Sequence, residues 1–107
     1  MGLSRGQTRW SETGVGTAGG ATVTHPAGAS GTRHIVSGVQ TSGDAAAVVT
    51  IESPASTVLW RKRFAAAFNM SERFDVPIHT AVDAAVLVKI SASTSNCEAN
   101  FQGMTEG

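Results

Sequence analysis

From residue 21 onward, short β-branched and apolar runs alternate with clusters of Gly, Pro, Asn, Asp and Ser. The runs recur about every 8–12 residues, the spacing of a sandwich or barrel rather than of βαβ units. Residues 21–25 form the first run, closed by Pro26 and the Gly28 to Gly31 turn region. Residues 32–40 place Ile35 and Val39 on one face. After Gly43 and Asp44, residues 47–52 turn Val49 and Ile51 one way and Thr50 and Glu52 the other, a period of two, and Pro54 ends the run. Residues 57–65 set Val58, Trp60 and Phe64 against Leu59, Arg61 and Arg63, so both arginines are expected to point outward. Residues 73–78 make another segment; residues 83–92 present Val86, Val88 and Ile90 as the clearest buried face; residues 97–103 close the series through Cys97, Ala99 and Phe101. The expectation is an all-β chain, a compact antiparallel β-sandwich, jelly-roll-like, of about 7–8 short strands. Its core is expected at Ile35, Val39, Val49, Ile51, Val58, Trp60, Val86, Val88, Ile90 and Phe101. A helix competes at two places, residues 63–70 and 82–88, but both are short and neither has an apolar stripe over three turns; there is room for a short helical turn at 65–69.

Residues 1–20 read differently. Gly2, Gly6, Gly14, Gly16, Gly19 and Gly20 fall among few apolar residues, which predicts an extended N-terminal arm preceding a domain at 21–107. Trp10 stands out there as an anchor, against the body or against a neighbour. Composition makes the core thin: 41% of residues are hydrophobic but 6% aromatic, and none is Tyr. Small side chains remove little area from water, at about 25 cal/mol per Å², against about 1–2 kcal/mol per residue for ordering the backbone. Oligomerisation or docking is expected to offset that deficit.

Eight basic side chains balance eight acidic ones, so no global field attracts a phosphate backbone and nucleic acid is not an expected partner. The lone Cys97 makes no internal disulfide. No run approaches the roughly 18 apolar residues of a membrane span, and no apolar stretch comes after Arg5 and Arg9 as a secretory signal requires. A soluble protein without membrane attachment is the expectation.

Candidate chemistry is sparse. Gly14 to Gly19 matches the GxGxxG phosphate-loop pattern, but no hydrophobic strand precedes it and no acidic residue stands about twenty positions on. His25, His34 and His79 share no metal-ligand spacing and read as separate histidines. The serines and threonines show no nucleophile elbow, Cys97 reads as a small buried hydrophobe, and the carboxylates of Asp44, Glu52, Glu72, Asp75, Asp83 and Glu98 are dispersed. No catalytic residues, bound metal or cofactor are expected. Arg61, Lys62 and Arg63, set between Trp60 and Phe64, read as a solvated face or a contact to an acidic partner.

The segments GTAGGATVTHPAGASGTRHIVSGVQTSGDAAAVVTI, TVLWRKRF, RFDVPIHTAVDAAVLVKISAS and NCEANFQG, in this order, resemble small bacteriophage virion proteins of the head-decoration, or cement, type. The likeness lies in a Gly/Ala-rich entry, a Trp-bearing central strand, and a Pro-containing segment before a Val-rich one; the first residues, MGLSRGQTRW, depart from it. The resemblance implies a structural protein, commonly a homotrimer, made in the bacterial cytoplasm, that binds the major capsid protein on the shell exterior and stabilises the shell. Under that reading Arg5, Arg9 and Trp10 are the candidate capsid contacts. A phage tail or fibre module that binds a host glycan or another virion protein is the alternative.

Overall fold

The computed structural model describes residues 8–16, 20–92 and 96–107. These residues form β1 (Thr8–Gly16), β2 (Gly20–His25), β3 (Arg33–Gly43), β4 (Ala47–Glu52), β5 (Val58–Phe64), β6 (Phe68–His79), β7 (Val86–Ala92) and β8 (Cys97–Glu106), and no helix occurs among them. Sheet A has the order β1-β8-β3-β6 and sheet B the order β2-β7-β4-β5. Every neighbouring pair is antiparallel. Apart from β4 and β5, which pair directly, consecutive strands cross between the sheets, which is the arrangement of a jelly roll.

Alternation builds the core as the sequence implies. Val39, Val49, Ile51, Val86, Val88 and Phe101 are fully buried, Ile90 is buried with them, and Trp60 packs against the cluster half-buried. Each fully buried Val or Ile contributes about 1.5–3 kcal/mol, so many such contacts are needed in place of a few large rings.

Two expected core residues go elsewhere, each because of a β-bulge, which inserts a residue and reverses the parity of the positions beyond it. The register of β4 on β5 shifts between Ile51 and Glu52, so that Ile51 faces Trp60 while Glu52 faces Val58. Val58 therefore joins the outer face and is 42% exposed. In β3 the register shifts between Val36 and Gly38. Val36 rather than Ile35 then shares the inner face with Val39, and Ile35, although buried, stands outside the core cluster.

The expected arm is also corrected over Thr8–Gly16, which pairs with β8 along its whole length as an edge strand. Its glycines allow close packing rather than looseness. A Cβ on Gly14 would meet Val23 Cγ2 at 2.7 Å, and one on Gly16 would fall on the Gly20 carbonyl oxygen. Residues 65–67, where the sequence leaves room for a helical turn, bend directly into β6.

Candidate functional site

The candidate contacts Arg5, Arg9 and Trp10 part company in the fold. Arg5 lies outside the described residues. Arg9 is exposed on the outer face of sheet A, whereas Trp10, of opposite parity, turns inward. Its ring stacks on His25 at 4.1 Å and meets His34 and Phe101 edge-on at 5.7 and 5.2 Å. The indole thus anchors β1 to its own sandwich, and its N–H has no acceptor among the described residues.

Around that ring two histidines, nine positions apart in the chain with no ligand spacing between them, come together with centroids 4.5 Å apart. Glu12, also on the inner side of β1, meets His25 Nδ1 at 2.8 Å. His34 is 1% exposed. Its Nε2 faces the Pro26 carbonyl at 2.8 Å, an acceptor, so that nitrogen carries the proton and donates; Nδ1 then accepts from the Thr105 hydroxyl at 2.7 Å. Burial lowers the His34 pKa, the bond to Pro26 opposes this, and the neighbouring His25 lowers it further. His79 is exposed at the end of β6. Among the described residues no three His, Cys, Asp or Glu side chains are grouped to hold a metal.

The opposite side of the sandwich, between β5 and β6, is closed by Phe64 stacked on Phe68 at 4.2 Å and by Trp60 edge-on to Phe74 at 5.6 Å. Lys62 reaches Glu72 across the gap at 3.6 Å. Cys97 is buried, and burial raises its pKa, so the thiol stays protonated at neutral pH.

The outer faces differ in chemistry. Sheet A presents amides and hydroxyls along with Arg9 and Arg73, and Asn100 donates to Thr13 at 2.7 Å. Sheet B presents Arg61 and Arg63 from β5 and Lys89 from β7, all exposed. Lys89 could have been found from sequence, since it alternates with Val88 and Ile90, but pairing it with Arg61 needs the strand order. Exposed apolar side chains fringe the body: Val15 at 70%, Val76 at 82% and Val82 at 55%.

No family model, curated protein or solved structure matches this chain.

Proposed function

We propose that this chain is a structural virion protein that binds the outer surface of a bacteriophage capsid and stabilises it, acting as a homo-oligomer, in keeping with the resemblance to decoration proteins. The observation that carries the reading is a small jelly-roll domain with a core chiefly of Val and Ala and with Val15, Val58, Leu59, Val76 and Val82 left exposed. Such residues gain from being covered, and a thinly cored domain gains stability from every copy of an interface. Jelly rolls recur in viral shells, which supports the reading by analogy of fold only.

Quantitative mass analysis of purified virions is the test. Hundreds of copies on the shell, together with co-sedimentation on empty capsids, are expected; absence from the particle overturns the proposal. A few copies at the tail would favour the second reading, a glycan-binding tail module. The amide and hydroxyl face of sheet A speaks for that module, while the inward turn of Trp10 and the half-buried, inward Trp60 leave it short of an aromatic platform.

A further inference from the structure

We infer that the outer face of sheet B is the docking surface, and that the partner surface it takes is a protein one rich in carboxylates. The inference deepens the capsid-binding proposal and rests on it for the partner's identity. Lys89 and Arg61 both pair with Thr50, one from each side, and Arg63 pairs with Val48 two residues along. Strands lie about 4.8 Å apart with about 3.4 Å per residue, so Arg61 stands about 7 Å from Arg63 and about 10 Å from Lys89, with Arg63 and Lys89 about 12 Å apart. Thr50 is buried between the cationic stems.

Its one carboxylate is withdrawn. Glu52, on the same face, is 7% exposed. It accepts from the Thr50 hydroxyl and from the Ser56 N–H, both at 2.7 Å. These bonds, opposed by burial and helped by the nearby charges of Lys89 and Arg61, hold the carboxyl below its ordinary pKa, so it remains charged but turned into the protein. Two cations elsewhere are matched, Arg33 with Glu106 at 3.0 Å and Lys62 with Glu72 at 3.6 Å, whereas Arg9 and Arg73 stand exposed on sheet A. Among the described residues Arg61, Arg63 and Lys89 belong to no such pair. On a chain with no net charge, three of the five Lys and Arg side chains without such a pair among the described residues thus share the outer face of sheet B.

Carboxylates suit this patch better than a nucleic-acid backbone does. Arginine engages a carboxylate through two parallel N–H bonds. A phosphate backbone would need a longer basic track, because its affinity grows with the number of phosphates neutralised. Exposed Val58 and Leu59 border the cations at the β5 corner, giving the contact an apolar margin.

Co-sedimentation on empty capsids tests the assignment, comparing the native chain with Arg61→Glu/Arg63→Glu/Lys89→Glu and with Arg61→Gln/Arg63→Gln/Lys89→Gln. Binding should fall at least tenfold for the reversal and less for the neutral variant, and native binding should weaken with salt. Arg73→Glu, on the other sheet, should bind as the native chain does. Thermal melts confirm that each variant is folded. Undiminished binding by a folded reversal variant overturns the inference while leaving the capsid reading standing. If the native chain does not bind capsids, that reading fails, and the face is judged by NMR titration with a glutamate-rich peptide. Amide shifts confined to Val48, Thr50, Arg61, Arg63 and Lys89 support it. Shifts elsewhere, or tighter binding of a charge-matched oligonucleotide, overturn it.

Discussion

The two open sides of the sandwich solve one problem with different chemistry. Where β5 meets β6, the gap is filled by three phenyl rings and the Trp60 indole and bridged by Lys62 and Glu72. Where β1 meets β2, the fillers are one indole, two imidazoles and a carboxylate, and the seam includes a buried histidine that resists taking up a proton. Ring packing serves both sides, and the β1–β2 side adds a histidine whose protonation opposes folding in mild acid. The N-terminal strand is therefore held by the more conditional of the two closures.

The comparison is broken most directly at Trp10. Trp10→Ala removes the ring that joins His25, His34 and Phe101, and a loss of about 3 kcal/mol is expected in urea unfolding. Hydrogen exchange should then show β1 amides opening before those of β8. On the other side, Phe68→Ala deletes a half-buried ring lying over Phe64 and Gly43. Its cost should be about 2 kcal/mol, less than for a fully buried ring, and β1 exchange should be unaffected. Equal loosening of β1 in both variants would show that the two sides are not independent.

Acid should sharpen the contrast by a smaller amount. The folded-state pKa of His34 lies below its ordinary 6.5, so the unfolded chain takes up the proton first. Stability is then lost as pH falls below about 6.5 toward the folded value. Urea midpoints at about pH 7.5 and 5.5 should differ for the native chain and converge for His34→Gln. Glu52 adds its own loss at lower pH: its depressed pKa stabilises the fold above the ordinary 4.5, and that contribution disappears as pH falls through the folded value. The smallest effect is expected from Lys62→Met. A pair at 3.6 Å with side chains 46% and 37% exposed is worth less than about 1 kcal/mol, and high salt should erase the difference.

Most of β2 to β8 was legible because inner positions are apolar at alternate residues, as in Val86, Val88 and Ile90, but the first half of β6 was not, since Glu72 stands there opposite buried Val39. β1 was not, because its inner positions are Trp10, Glu12, Gly14 and Gly16. A carboxylate and two glycines look like a loose arm until His25 stands opposite the first and the Gly20 backbone crowds the last. Strand parity read from the sequence fails where a bulge intervenes, at Val58 and at Ile35. Of the proposed docking face, Arg61 and Arg63 were visible as outward side chains, while Lys89 entered only through its shared partner Thr50.

By itself the amino-acid order determined the β class, most of the inner faces and a core of small side chains, because alternation and composition are local properties of the chain. Tertiary structure alone decided which strands neighbour one another, and thus that Trp10 closes its own domain, that His25 and His34 share a seam, and that Arg61, Arg63 and Lys89 share a face. Those relations join residues many positions apart. Cross-strand register and sheet-to-sheet packing set them, and neither leaves a periodic trace in the sequence.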